Sequence, residues 1–244
     1  MKIASIIVLT TGFSAEHTKK CLEAIETNTT LPYELFVLRD DKESFGFSKD
    51  NNRLMRIAEG KYIVLMNHDC FVHPNWLEKM VEKAEEDPNI GLVGARLSGP
   101  DGKLQYEVEK AAPNGDVESI AFALVLIKRD VIAKIGYMNE NYRFGSEDSE
   151  YCMKAWAAGF RSVISGATAT HIRNSSMNAS SIIMKSRGWY FFRRSHGAKI
   201  IDIVPQIGWD STYPMRVYIL RKAPTAFKRL RLVKVLIRYA GIWI

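Results

Sequence analysis

Asp69 stands directly behind an apolar run at residues 62–66, with Asn67 and His68 between the run and its carboxylate. A run of that length is strand-like, so the chain leaves the carboxylate at the rim of a sheet. Oxygen donors in such a place hold a hard divalent cation and leave coordination positions for phosphate. An Asp there also caps the following turn, and that plainer role stays open. A second cluster, Glu147, Asp148 and Glu150, follows Gly145 and Ser146. Acidic residues favour a helix's first turn because they complement its dipole. One of them aimed into a cleft would serve as a general base. His171 closes a short extended stretch, where a neutral imidazole either ligates a metal or simply makes a hydrogen bond.

The elements that would carry these groups are readable in order. Residues 3–9 form a continuous β-branched run, expected of a buried parallel strand. A helix over residues 16–28 follows, with Cys21, Leu22 and Ile25 at helical spacing, and then a strand at residues 35–38. A helix over residues 49–58 ends at Gly60, and the strand at residues 62–66 leads to Asp69. Pro74 marks a further helix start, with Trp76, Leu77, Met80, Val81 and Ala84 in its pattern. This alternation predicts an α/β domain with a parallel sheet. Beyond residues 91–94 the regularity loosens. Asp101-Gly102 reads as a hairpin turn, residues 120–127 as a strand and 131–135 as a short helix. A helix over residues 147–158 and extended pieces at 162–164 and 167–170 complete the order. In open α/β sheets ligands gather outside the carboxyl ends of the strands. Asp40, Asp41 and Asp69 stand at those ends.

Composition sets the outer limits. The chain has 244 residues, 47% of them hydrophobic, which is enough to bury a sizeable core and excludes intrinsic disorder. No run reaches the length of a membrane span, and no basic n-region opens the sequence. Three widely spaced cysteines fit a reducing cytoplasm and exclude a zinc cluster. The net charge of +7 divides unevenly. Residues 1–171 hold 20 Lys and Arg against 25 Asp and Glu, whereas residues 172–244 hold 14 against two, Asp202 and Asp210.

Several motifs share one resemblance. Residues 46–52 (GFSKDNN) with 58–62 (AEGKY) resemble the segment between the second and third strands of family 2, GT-A fold glycosyltransferases. Residues 65–70 (LMNHDC) followed by 74–77 (PNWL) look like that family's metal-binding Asp-x-Asp region, with Asn67 at its first acidic position. Residues 91–94 and 101–105 (DGKLQ) continue the likeness. Glu147-Asp148-x-Glu150, Gly159-Phe160 and His171 resemble its acceptor-side catalytic block. The likeness runs over residues 3–175 in unbroken order.

The resemblance implies a GT-A fold: a Rossmann-like mixed central sheet flanked by helices. It implies a catalytic domain over residues 1–175, with a nucleotide-sugar half to about residue 95 and an acceptor half beyond it. It also implies inverting transfer from a nucleotide-sugar donor, a UDP-sugar first, with dTDP-rhamnose and GDP-sugars as the other donors. The acceptor would be a hydroxyl of a glycan, polysaccharide or glycolipid. Asp69 and His171 would hold Mn²⁺ or Mg²⁺ on the donor diphosphate. Asp148 would be the base, and Glu147 would orient the acceptor or nearby backbone. Thr10, Asp40, Lys49, Asn52, Asn67 and His68 would line the donor. The base-binding acidic position falls at Arg39 or Asp40, with Asp40 favoured.

Residues 176–244 are expected to be a basic, mainly helical extension. Trp189, Tyr190, Phe191 and Phe192 precede Arg193 and Arg194, which could reach a diphosphate. In residues 224–244, Lys228, Arg231, Lys234 and Arg238 share one helix face, and Leu232, Leu236, Tyr239 and Trp243 share another. That pattern suits peripheral contact with the inner face of a membrane, or packing against a second copy. Nucleic-acid binding is disfavoured, because the body is acidic and no recognition motif is present. A non-catalytic sugar- or nucleotide-binding relative is the other alternative.

Overall fold

A computed structural model describes residues 2–11, 15–40, 46–105, 115–142 and 146–172. The basic extension at residues 176–244, with Arg193, Arg194 and the amphipathic pattern of 224–244, lies outside the described residues. Among the described residues no helix is long and apolar enough to cross a membrane.

Three strands carry the nucleotide-side half. β1 (Ala4–Thr11) lies between β2 (Tyr33–Asp40) and β3 (Tyr62–Asn67), parallel to both. Helices α1 (Ala15–Asn28) and α2 (Phe47–Met55) make the two crossovers. Ile6 and Val8 are fully buried in one cluster with Cys21 and Ile25 of α1, which explains the unbroken apolar run of β1. The helix expected over residues 49–58 starts two residues earlier and ends at Met55. Ile57 and Ala58 then turn back on the carbonyl of Leu54.

The rest of the sheet is mixed. The full order is β2-β1-β3-β6-β5-β7-β4, with β4 (Cys70–Val72), β5 (Ile90–Ser98), β6 (Leu124–Lys128) and β7 (Arg161–His171). β6 runs antiparallel to β3 and β5, and β4 antiparallel to β7. The parallel sheet expected from strand–helix alternation therefore holds for β1, β2 and β3 and again for the β5–β7 pair, while β6 and β4 run the other way. Alternation fixes strand direction where a helix makes the crossover. After β5 the chain instead enters a tight hairpin at Gly102, where Gly99 N–H donates to Lys103 O and Ser98 bridges Leu104. Helices α3 (Trp76–Glu85), α4 (Arg129–Ile135) and α5 (Glu147–Ala157) complete the order. Trp76 is fully buried, and its Nε1–H donates to Thr29 Oγ1 at 2.9 Å.

β3 and β4 are joined by residues 68–69 alone, although they stand third and seventh in the sheet. The sheet must therefore curl until its far edge returns to β3. His68 and Asp69 form the turn at that seam.

Glu34 ties the start of β1 to the α2–β3 connection. Gly60 allows the approach: a Cβ there would lie 2.5 Å from backbone atoms of Ala4 and Ser5. Gly60 N–H donates to Ser5 Oγ, and the Ser5 hydroxyl, Glu59 N–H and Lys2 Nζ all donate to Glu34. Burial opposes the Glu34 charge, yet these donors hold its carboxyl down to about 2 from an ordinary 4.5. A lowered carboxyl stabilises the fold above the unfolded value and loses that contribution as pH falls towards the folded one. The stability advantage of wild type over Glu34→Gln is therefore expected to be full at pH 7. It should disappear between about pH 4.5 and 2. Urea midpoints of the two proteins across that range measure it.

Candidate active site

β3 is buried through Met66, and the chain then turns so that His68 and Asp69, each 5% exposed, sit under the sheet rim. Burial holds the His68 imidazole below its ordinary pKa. The Asp69 charge and a hydrogen bond with the Leu9 backbone oppose that shift. His68 is thereby turned towards β1, whose Leu9 pairs in register with Asn67.

The other side of Asp69 is closed by β7. Cys70 pairs with His171 in the β4–β7 ladder, and Ile172 N–H donates to the Asp69 carbonyl at 2.9 Å. This pairing brings His171 Nε2 to 3.4 Å from Asp69 Oδ1, with both side chains almost fully buried. His171 Nδ1 lies 2.9 Å from Gln105 Oε1, and Gln105 Nε2 donates to the His171 carbonyl at 2.9 Å.

Two thiols lie beneath this pair. Burial, with a lesser push from the Asp69 charge, drives Cys21 up to about 12. Burial drives Cys70 well up too, with Cys21 and Asp69 adding to it. Both thiols are buried, and the two groups that approach each other at the turn are a carboxylate and an imidazole. Among the described residues no three His, Cys, Asp or Glu side chains converge on one metal position. The pair itself has suitable spacing: two neighbouring donors about 2.1 Å from one octahedral ion stand about 3 Å apart.

The acidic cluster opens α5. Ser146 sits at φ 72° before the first turn, and Glu150 N–H donates to its carbonyl. Glu147 and Glu150 are buried, 7% and 3% exposed, whereas Asp148 is half-buried. Burial, then the charges of Glu150 and Glu147, raise the Tyr142 hydroxyl above its ordinary value, so both carboxylates act on that ring. Asp148 Oδ1 accepts from Ser149 N–H at 2.7 Å. Of the three acidic residues, Asp148 is the most exposed.

The remaining candidates occupy different faces. Thr10 is buried, its Oγ1 2.8 Å from Thr18 Oγ1, on a cleft of about 400 Å³ that Lys19, Leu22 and Arg39 also line. Asp40 ends β2 in register with Thr11. Lys49 lines a second cleft of about 520 Å³ with Arg39, Asp50, Arg53, Arg56 and Glu140. Asn52 is buried and clasps residues 138–140. Its Nδ2 donates to Met138 O and Glu140 Oε1, and its Oδ1 accepts from Met138 N–H. Arg39, weighed from sequence only as the alternative to Asp40, lines both clefts, and Gln105, on His171, had no role assigned from sequence. A lone glutamine carries no motif signal of its own, and only its contact across 66 residues makes it visible.

Residues 5–165 match the family model described as Glycosyl transferase family 2. The y4gI protein of Sinorhizobium fredii (strain NBRC 101917 / NGR234) is 29% identical over 153 residues, which cover 52% of this chain and 17% of that protein. The O-antigen biosynthesis protein RfbC of Myxococcus xanthus is 26% identical over 165 residues, covering 57% of this chain and 13% of that one. The chain thus spans less than a fifth of the length of either relative. Among solved structures it is similar to the mannosyltransferase PcManGT of Pyrobaculum calidifontis, determined in complex with GDP-Man and Mn²⁺. The TM-score is 0.59 at 16% identity, over 76% of this chain and 61% of that one. Likeness at that identity shows a shared fold.

Proposed function

Because the chain belongs to glycosyl transferase family 2 and has the GT-A fold, we propose that it transfers a sugar with inversion from a nucleotide-sugar donor to a glycan or glycolipid hydroxyl. The observation that carries this reading is the approach of His171 Nε2 to 3.4 Å from Asp69 Oδ1 at the β3–β4 turn. The two side chains are buried, come from distant parts of the chain and offer an oxygen and a nitrogen at a bite suited to Mn²⁺ or Mg²⁺. Mn²⁺ in the complex of PcManGT supports that choice of ion. A cation held there would neutralise charge on the departing diphosphate.

The chain's own residues would do the rest. Thr10, Asp40, Asn67 and His68, at the ends of β1, β2 and β3, would line the donor, with Lys49 drawing the phosphates towards the α2 side. Asn52 would contribute by fixing residues 138–140 with both ends of its amide. Asp148 would take the proton of the acceptor hydroxyl as its oxygen attacks the anomeric carbon. The new carbon–oxygen bond forms on the face opposite the diphosphate, the old one breaks, and the nucleoside diphosphate leaves. Glu147, buried beside Tyr142, would hold the first turn of α5 so that Asp148 keeps its place. Similarity to a protein of O-antigen biosynthesis supports a polysaccharide or lipid-linked acceptor. Work at a membrane surface, through residues 224–244, would suit such an acceptor.

The test is thermal stabilisation by nucleoside diphosphates with and without Mn²⁺. One of UDP, GDP or dTDP at a hundredfold excess over its dissociation constant is expected to stabilise by about 2.7 kcal/mol. That gain should be lost in EDTA. Equal stabilisation in EDTA would remove the metal from the reading, and binding without turnover of any nucleotide-sugar would favour a non-catalytic relative.

A further inference from the structure

Gln105 lies at the end of the hairpin that follows β5, outside the acidic and imidazole groups that the proposed chemistry uses. Its backbone is fixed by Gln105 N–H donating to Leu97 O at 2.8 Å, and its side chain is 9% exposed. Both polar ends of that side chain are spent on one residue. Nε2 donates to the His171 carbonyl at 2.9 Å, and Oε1 stands 2.9 Å from His171 Nδ1.

The carbonyl contact settles which way the amide faces. A carbonyl oxygen can only accept, so the NH₂ end must point to it and the amide oxygen must point to the ring. An amide oxygen can also only accept, so Nδ1 carries the hydrogen. The neutral ring then presents an unprotonated Nε2, and that atom faces Asp69 Oδ1 at 3.4 Å. A ring turned over, or protonated at Nε2 alone, would offer a hydrogen where a cation needs a lone pair.

We infer that Gln105 is the positioning residue of the metal site: through its two bonds to His171 it fixes the ring's tautomer and rotation so that Nε2 and Asp69 Oδ1 form one bidentate donor pair. The inference rests on the proposed role of Asp69 and His171 and deepens it. It also gives the hairpin at residues 99–105 a task, since its register decides where the amide sits. A merely structural Gln105 would need one bond to the β7 backbone and would be indifferent to the ring.

The test is Mn²⁺ titration of the full chain with nucleoside diphosphate, read by electron spin resonance, with pulsed detection of ¹⁴N coupling from the imidazole. In wild type a ¹⁴N coupling is expected that vanishes in His171→Ala. Gln105→Leu is expected to weaken Mn²⁺ binding by about 10- to 100-fold and to reduce that coupling. Gln105→Glu, which keeps an acceptor for Nδ1–H, should restore the coupling. Should Gln105→Leu not fold, Gln105→Ser removes both bonds without setting apolar atoms against the ring and carries the same expectation. Wild-type affinity and coupling in a folded Gln105→Leu or Gln105→Ser protein would overturn the positioning role while leaving the metal pair intact. A wild-type spectrum with no coupling lost in His171→Ala would overturn the metal pair, and the positioning role with it.

Discussion

Asp69→Asn is expected to lower kcat/KM by about a thousandfold while the protein stays folded. Asn matches Asp in shape, and the backbone contact from Ile172 N–H to residue 69 does not involve the side chain. What changes is one negative charge on a donor pair 3.4 Å across. An amide oxygen is a far weaker partner for a divalent cation than a carboxylate. Stabilisation of a departing diphosphate by a bound cation is worth several kcal/mol, and about 4 kcal/mol corresponds to three orders of magnitude in rate. The loss should appear in donor binding as well as in turnover, so Mn²⁺-dependent thermal stabilisation should fall in parallel. Nucleotide release at the wild-type rate in Asp69→Asn would sink the assignment.

Asp148→Asn should separate chemistry from binding. A general base is worth about 10²- to 10⁴-fold in rate, so kcat should fall by that amount. The KM for donor and the Mn²⁺ response should stay near wild type, because Asp148 stands on α5 rather than in the Asp69–His171 pair. One of its partners, Ser149 N–H at 2.7 Å, can donate to an amide oxygen as readily, so the first turn should survive the change. The buried neighbours give the contrast. Glu147→Gln and Glu150→Gln act on groups beside Tyr142 and should cost stability before they cost turnover. An Asp148→Asn protein with unchanged kcat would move the base elsewhere.

Local order was legible where one periodicity covered a whole element. β1 declared itself because both faces are buried, and α3 because Trp76, Leu77, Met80 and Ala84 all enter the core. β4 was not visible, since three residues carry no period and Cys70–Val72 become a strand only by pairing with β7. β7 looked like two extended pieces because Ser165 and Gly166 interrupt its apolar pattern. It is one strand, Arg161–His171, with its ladder shifted between Gly94 and Arg96 of β5. The antiparallel entry of β6 was equally hidden, because direction is a property of the connection and not of the residues in the strand. At the site, the residue types at 69, 148 and 171 were visible in one dimension. The 3.4 Å approach of His171 to Asp69, and the amide of Gln105 that spans ring and carbonyl, depend on strands that meet only after the sheet has curled.

The turn at residues 68–69 also has a consequence for the nascent chain. Asp69 leaves the ribosome well before His171, in a segment that already holds β1, β2, β3 and their helices, and its partner is the last residue of the last described strand. A chain paused anywhere before residue 171 presents only half of the pair. Domains settle from the N-terminus as they are made, and here the contact that completes the site is among the most distant in sequence. The pair is complete only once β7 lies between β5 and β4.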